Sequence, residues 1–155
     1  ISSALEQLMT QTNWGEIDIM VIDMPPGTGD IQITLSQRVE MDGVVIVSTP
    51  QDIALIDAIK GVNMFKKTGT PILGIIENMS YFVCPCCGAR SDIFGHEGAK
   101  HTAEKMGEIF LGEIPLDMAI RQNADNGTPM MVSAPNSQYS QAYLDIAKKI
   151  ITRVG

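Results

Sequence analysis

The protein has 155 residues, with 11 Lys and Arg against 18 Asp and Glu, so its formal net charge is −7. This length suits one domain with a substantial core, and 45% hydrophobic with 19% charged residues is a globular composition. An acidic chain with scattered basic residues has no patch for nucleic acid or an anionic membrane, so neither is expected as a partner. The longest apolar runs, 44–47 and 72–76, are too short to cross a bilayer, and we expect a cytoplasmic protein.

The first residues have the pattern of a helix that is already under way. Leu5, Leu8 and Met9 recur at helical spacing with no capping residue ahead of them, and the first residue is Ile instead of Met. A secretory signal would need a charged start and a continuous apolar stretch, and both are missing. We therefore expect a helix at residues 1–12 and expect the chain to be a piece of something longer.

Four short apolar runs along the chain have the character of buried strands. None of them alternates polar with apolar residues, which predicts strands covered on both faces, as in a parallel sheet. These runs are 17–22, 44–49, 72–77 and 109–114.

Helical patterns lie between and after these runs. One helix has Ile53 to Val62 on a stripe, with Asp52 as its expected N-cap and Gly69 as its stop. A shorter helix is expected over 98–106, and a last helix carries an apolar stripe over 139–154. Strands and helices that alternate at this spacing predict right-handed βαβ units in an open, mostly parallel α/β sheet with helices on both faces.

In such folds, ligands bind at the carboxyl ends of the strands, and all four predicted ends are polar and turn-forming. The first begins with Asp23, the position of a Walker B carboxylate that holds Mg²⁺ through water, although many strands end in Asp only to cap a helix. Gly27 and Gly29 in the following loop let backbone N–H groups approach a phosphate, and Asp30 is expected to cap a helix that begins at Ile31. These are the properties of a γ-phosphate sensor.

All three cysteines lie within four positions, at Cys84, Cys86 and Cys87. Near neighbours cannot staple distant parts of a fold, so a local metal or redox site is the better interpretation. Cys84 and Cys87 form a Cys-x-x-Cys pair, and Gly88 supplies a tight turn. Metal–thiolate sites generally take four ligands, whereas one chain offers two at this spacing, with Cys86 as a possible third. The simplest route to four thiolates is two chains related by symmetry.

Three other interpretations of the cysteines remain open. A thioredoxin-like pair would open a helix directly after a strand, but Gly88 and its successors do not begin one. A zinc ribbon would need a second Cys-x-x-Cys. The simplest alternative is that the tight turn over residues 84–88, here called the knuckle, is structural and holds no metal. His96 and His101 lie in or beside a helical pattern and are expected to be exposed polar residues.

Segments 21–30, 48–55 and 77–80, followed by the cysteine cluster, together resemble the Mrp/ApbC-type P-loop ATPases, which are iron–sulfur cluster carriers of the MinD-like deviant-Walker group. The resemblance runs from near residue 1 through at least Pro135, with the motifs in order. It implies a homodimeric, ATP-dependent carrier that holds a [4Fe–4S] cluster between its subunits and hands it to apo-proteins. Chain 1–155 would then be the C-terminal part of one P-loop NTPase domain.

The resemblance also implies roles for the loop after the first predicted strand. Asp23 would be the Walker B carboxylate, which holds Mg²⁺ through water. Gly27 would be the switch II glycine that senses the γ-phosphate. Thr28 and Gly29 belong to the same nucleotide-binding loop.

Further along the chain, the resemblance implies a base pocket and a cluster site. Asn78 would recognise the adenine, since a side-chain amide both donates and accepts along a base edge, and Pro115 would form the other wall. Cys84 and Cys87 would be the ligands that bridge the [4Fe–4S] cluster, with Cys86 as a bystander in the variable position.

One departure from the family pattern concerns the phosphate cradle. No Gly-x-x-x-x-Gly-Lys-Ser/Thr occurs in the 155 residues, and the switch I acidic residue is not found either. Without the cradle and its lysine, these residues by themselves are expected neither to bind ATP well nor to hydrolyse it. A second hypothesis is a MinD-type positioning or partition scaffold, which would want a basic amphipathic C-terminal helix for the membrane. The tail over 147–155 continues a packed stripe instead, and a scaffold has no use for the Cys-x-x-Cys.

Overall fold

The computed structural model describes residues 2–25, 27 and 29–155. Within these residues it contains the following elements: α1 (Ser2–Gln11), α2 (Asp30–Arg38), β1 (Val44–Ser48), α3 (Asp52–Thr68), β2 (Ile72–Asn78), β3 (Phe82–Val83), β4 (Arg90–Ser91), α4 (Gly98–Met106), β5 (Phe110–Ile114), α5 (Met118–Asp125), α6 (Met130–Ser133) and α7 (Gln138–Val154). None of the described helices is both long enough and apolar enough to cross a bilayer. The helices expected near the start of the chain, over 98–106 and at the C-terminus are all confirmed.

The main sheet is parallel, with β2 between β1 and β5 in the described part of the chain. After β2 the chain forms a separate antiparallel hairpin from β3 and β4. Residues 73–77 of β2 are all buried, as expected for a strand covered on both faces. The predicted open α/β architecture is confirmed.

Two apolar clusters cover the two faces of the sheet. Ile75 and Ile76 are adjacent in β2, so their side chains point to opposite faces. Ile75 packs in a cluster with Val62 of α3 and Ala103 of α4. Ile76 packs with Ile146 of α7 on the other face. Helices therefore lie on both sides of β2 and hold its carboxyl end in place.

The strand predicted at 17–22 is wrong for this structure, because these residues have no regular secondary structure. Ile17, Ile19 and Val21 are 51%, 55% and 88% exposed, so this run is not covered on both faces. An apolar run becomes a strand only where a neighbour satisfies its backbone N–H and C=O groups. No strand in the described residues pairs with this run.

Two helix starts differ from the prediction by one residue. Asp52 is the first residue of α3, and Gln51 occupies the N-cap position without a side-chain capping bond. Asp30 is likewise the first residue of α2, after Gly29 at the N-cap position. Both carboxylates therefore act on the positive end of the helix dipole from the first turn and do not cap it. The predicted end of α3 is confirmed, since Gly69 adopts the left-handed conformation with φ of 78°.

Asp117 joins the start of α5 to α7. Its carboxylate accepts the Ala119 N–H at 2.7 Å as the N-cap of α5 and the Tyr139 hydroxyl at 2.5 Å. The hydrogen bond to Asp117, followed by burial, raises the pKa of Tyr139 above its ordinary value of 10.0. One side chain therefore ties α7 to the start of α5.

We expect Asp117→Ala to lower the free energy of unfolding by about 1–2 kcal/mol and Tyr139→Phe by about 1 kcal/mol, because a cap and a hydrogen bond are lost. Urea unfolding measures both. Because the pKa of Tyr139 is raised in the folded state, its contribution is present below its unfolded pKa and is lost as the pH rises through the folded pKa. A Tyr139→Phe variant with the urea midpoint of the unmodified protein would show that this bond contributes nothing.

Candidate functional site

The carboxyl ends of β2 and β5 bring together two of the residues that are predicted to bind the nucleotide. Asn78, the last residue of β2, pairs in register with Ile114, which directly precedes Pro115. The Ser80 N–H donates to the Ile114 carbonyl at 3.0 Å, so the loops after the two strands are tied to each other. Pro115 is buried beside this junction. Two residues that are 37 positions apart by number thus meet at one edge of the sheet.

The Asn78 side chain keeps hydrogen-bonding capacity for a ligand. Its Oδ1 accepts the Met79 N–H at 3.0 Å, and Met79 has a φ of 55° in the left-handed region. Its NH₂ group has no partner among the described residues. An amide oxygen has two lone pairs, so a donor and an acceptor remain available at the strand end.

The loop after the predicted Walker B position is held at its base. Asp23 is exposed, and Met24 directly after it packs against the α3 face of the core. Gln32 in α2 donates its Nε2–H to the Pro25 carbonyl at 2.7 Å. Gly27 has a φ of 98°, which favours glycine.

The other predicted residues of this loop are not all described by the structure. Gly29 is exposed before α2, whereas Thr28 lies outside the described residues. No hydrogen bond or ion pair within the described part of the chain joins Asp23 to Asn78 or Pro115. The structure therefore brings together Asn78 and Pro115, and the described residues of the loop that begins at Asp23 contact α2 and the core.

The cysteines lie at the tip of the β3–β4 hairpin as a closed knuckle. The Cys84 N–H donates to the Ala89 carbonyl at 2.9 Å, and the Gly88 N–H donates to the Cys84 carbonyl at 2.8 Å. Hydrogen bonds to the Cys84 sulfur from the backbone N–H of Cys87, and then of Cys86, lower the pKa of that thiol. Cys86 and Cys87 are exposed, and all three thiols are free. Backbone N–H groups that point at a sulfur favour the thiolate form that metals bind.

The redox alternative loses support from this geometry. After Cys87 the chain turns at Gly88, which has a φ of 73°, and then enters β4 instead of a helix. The first cysteine of a thioredoxin-like pair gains its low pKa at a helix N-terminus. Here the N–H groups of the knuckle itself have that effect on Cys84.

The cysteine pair by itself is smaller than the ligand set of a metal or cluster site. In the described residues, no group of three or more His, Cys, Asp or Glu side chains is arranged to hold a metal ion. His96 lies against a carboxylate instead, with its Nδ1 at 2.8 Å from Asp92 Oδ2, and both His96 and His101 are exposed as predicted. One chain thus offers two thiols at Cys-x-x-Cys spacing, half of the four ligands that a [4Fe–4S] cluster takes.

Sequence reasoning missed a buried polar network behind the strand ends. Glu77 is fully buried, and its Oε2 accepts the Ala99 N–H at the start of α4 at 2.7 Å. The Ser80 hydroxyl lies 2.5 Å from Glu77 Oε1 and 3.0 Å from Glu113 Oε2. The available signal was a glutamate at the end of an otherwise apolar run, because a buried polar group needs hydrogen-bond partners.

The same network reaches the cysteine hairpin through Arg90. The guanidinium group lies 4.0 Å from the ring centroid of Tyr81, and its Nη1 is 3.4 Å from Glu113 Oε1. Its Nε donates to Asp92 Oδ1 at 3.2 Å. The hydrogen bond from Arg90 is the largest cause of a lowered pKa of Asp92. Arg90 therefore links the hairpin to the loop after β2 and to β5.

A protein-family model described as ParA, NUBPL iron-transfer P-loop NTPase, matches residues 1–151. The chain belongs to this family. The iron-sulfur cluster transfer protein NUBPL of Dictyostelium discoideum is 54% identical over 154 residues, which are 99% of this chain and 48% of that protein. The iron-sulfur cluster carrier protein of Haemophilus influenzae is 50% identical over 99% of this chain and 41% of its own length. The chain thus spans about half the length of the curated relatives it matches.

Solved structures agree with the fold. A nucleotide-binding protein from Archaeoglobus fulgidus in complex with ADP has a TM-score of 0.76 at 38% identity, covering 90% of this chain and 56% of that one. The septum site-determining protein MinD of Pyrococcus horikoshii, complexed with Mg-ADP, has a TM-score of 0.75 at 24% identity, covering 100% and 58%. This second likeness concerns the fold alone. The family resemblance and the P-loop NTPase-like fold class are both confirmed.

Proposed function

We propose that this family member is an ATP-dependent carrier that binds a [4Fe–4S] cluster as cargo and transfers it to apo-proteins. The observation that carries the proposal is the knuckle of Cys84 and Cys87, where backbone N–H groups stabilise a thiolate at an exposed hairpin tip. The curated relatives named for iron–sulfur cluster transfer support it. The recipients are apo-proteins that lack their cluster, since a carrier with exposed ligands can pass its cargo to other thiolates.

The cluster would be shared by two copies of the chain. Each copy provides Cys84 and Cys87, and among the described residues no group of three or more His, Cys, Asp or Glu side chains could hold a metal ion by itself. A symmetric pair of knuckles supplies four thiolates, which is the usual ligand number. The homodimer and the cluster site are therefore one proposal.

Nucleotide would bind at the strand ends of the sheet. Asn78 would recognise the base with its free amide, and Pro115 would line the opposite wall. Asp23 would hold Mg²⁺ through water, while Gly27, Thr28 and Gly29 would present backbone N–H groups to the γ-phosphate. The bound ATP would supply a charged group whose loss on hydrolysis changes the state of the loop. The ADP complex of the Archaeoglobus relative supports a nucleotide site in this family.

Metal and sulfide analysis of the anaerobically purified full-length chain, with its solution mass, tests the proposal. We expect one [4Fe–4S] cluster per two chains and transfer of that cluster to an apo-acceptor that depends on Mg-ATP. Stoichiometric zinc in a monomer would overturn the cluster proposal. Equal transfer with and without nucleotide would overturn the ATP dependence alone.

These 155 residues by themselves are expected to show no ATP turnover, because they lack the Gly-x-x-x-x-Gly-Lys-Ser/Thr cradle that neutralises the phosphates. We propose that residues 1–155 are the C-terminal part of one P-loop NTPase domain. Phosphate release from the 155-residue chain is the measurement, with the full-length chain as its control. Turnover by the 155 residues at the rate of the longer chain would refute this expectation.

A positioning scaffold of the MinD type is less well supported. Such a scaffold would dock through a free amphipathic helix at the C-terminus, but the stripe of α7 is used inside the protein. Ile146 is 5% exposed against β5, and Lys149 donates its Nζ–H to the Leu111 carbonyl at 2.6 Å. We therefore propose no membrane as a partner, and the net charge of −7 keeps nucleic acid from being proposed as one.

The cytoplasm stays the predicted compartment. One relative, 54% identical over 151 residues, is the iron-sulfur protein required for NADH dehydrogenase of Arabidopsis thaliana, named as mitochondrial. Fractionation of cells that express the full-length chain with a C-terminal tag would decide between the two compartments.

A further inference from the structure

We propose that Arg90 is the positioning residue of the cysteine knuckle, and that Glu113 and Tyr81 are the two groups through which it acts. This inference rests on the proposed function, since it concerns how the cluster ligands are held. Arg90 contacts neither cluster nor nucleotide directly in this proposal. It sets the orientation of the hairpin that carries Cys84 and Cys87.

The hairpin needs such an anchor because its own strands are short. β3 and β4 contain two residues each, and their pairing joins Phe82 to Ser91 and Val83 to Arg90. A two-stranded hairpin of this length is marginally stable alone. Cys84 directly follows Val83, so any change in the pairing of Arg90 moves the first cysteine.

Arg90 has three partners that come from different parts of the chain. Its guanidinium group lies over the ring of Tyr81 at 4.0 Å, and it contacts Glu113 at 3.4 Å and Asp92 at 3.2 Å. Tyr81 precedes the hairpin, Asp92 follows it, and Glu113 lies in β5 of the main sheet. A planar guanidinium group can stack on a ring and bind carboxylates in its own plane at the same time, which a lysine cannot do.

Glu113 is itself held by the network behind the strand ends. Ser80 lies between Glu113 and the buried Glu77. Ser80 contacts Glu113 at Oε2, whereas Arg90 contacts it at Oε1, so the same carboxyl group reaches both partners. Glu77 is fixed by the Ala99 N–H of α4. This chain of contacts links the knuckle to the core of the protein and to the end of β2, which carries Asn78.

The proposal is tested in the metal-free, full-length protein by amide hydrogen exchange. The reporters are the Cys84 N–H, bonded to the Ala89 carbonyl, and the Gly88 N–H, bonded to the Cys84 carbonyl. We expect Arg90→Gln to speed exchange at both amides about tenfold, because an ion pair and a cation–π contact are lost. Arg90→Lys keeps the charge but not the stack and should give an intermediate rate, as should Glu113→Gln.

Arg121→Gln is the matched control. Arg121 also pairs with a carboxylate, at 2.7 Å from Asp125 on the exposed side of α5, and its loss should leave the hairpin amides unchanged. Unchanged exchange in Arg90→Gln, or equal acceleration in Arg121→Gln, would overturn the proposal. If Arg90→Gln does not fold, the Arg90→Lys and Glu113→Gln variants decide by the same criterion.

A second readout uses the cluster-loaded protein. We expect Arg90→Gln to change the visible circular dichroism of the cluster and to lose iron to a chelator several-fold faster than the unmodified protein. A protein that loads no cluster at all refutes the proposed function but leaves the exchange comparison intact. Normal loading with unchanged exchange and an unchanged spectrum in Arg90→Gln refutes the positioning role alone.

Discussion

Replacing Cys84 or Cys87 by serine is expected to reduce the iron and sulfide bound per chain to below about a tenth of the unmodified level, since a four-thiolate site then lacks two ligands per dimer. The visible absorbance of the reconstituted cluster should fall in parallel. The loaded protein should be a dimer and both serine variants should stay monomeric by solution mass, because the shared cluster joins the two chains.

Cys86→Ser is the control for this result. Cys86 lies in the same knuckle and is also exposed, so its substitution matches the other two in chemistry and location. We expect full cluster loading in this variant. Loading that survives in Cys84→Ser or Cys87→Ser would remove that thiol from the ligand set, and a loss in Cys86→Ser equal to the others would add a third ligand.

The second large effect concerns Glu77. Glu77→Ala is expected to lower the free energy of unfolding by about 3–5 kcal/mol, because the buried Ala99 N–H loses its acceptor, the Ser80 hydroxyl keeps only Glu113, and a cavity is left. Glu77→Gln keeps the volume and one acceptor oxygen, so its expected loss is about 1–2 kcal/mol. Urea unfolding with an unchanged m-value measures both.

Glu104 offers a matched control on α4. It is an exposed glutamate, and Glu104→Ala should change the free energy of unfolding by no more than about 0.5 kcal/mol. A Glu77→Ala variant within about 1 kcal/mol of the unmodified protein would contradict the role of the buried network.

Local patterns were enough to predict most of the framework. The unbroken apolar run over 72–77 predicted a strand buried on both faces, and β2 is that strand. The polar turn after it correctly placed Asn78 at the edge of the sheet where Pro115 also lies. The expectation that no helix begins after Cys87, which counted against a thioredoxin-like pair, is confirmed because the chain enters β4 there. The roles of these residues stay predictions.

Local sequence patterns gave a wrong prediction where an element depends on a neighbouring strand. Residues 17–22 have the same apolar character as the other runs, yet they form no strand in the described chain, because a strand depends on its neighbour as much as on its own side chains. The helix starts at Asp30 and Asp52 were each one residue off. An aspartate suits the N-cap and the first turn almost equally well, so the residue type does not distinguish them.

The sequence by itself determined the fold class, the strand-end loops and the pair of thiols, because hydrophobic periodicity, glycine turns and cysteine spacing are properties of short segments. Only the tertiary structure decided what holds these parts together. Glu77 meets Ala99 across 22 positions, Ser80 meets Glu113 across 33, and Arg90 meets Glu113 across 23. Such contacts depend on the direction of side chains in packed elements. No spacing along the chain encodes that direction.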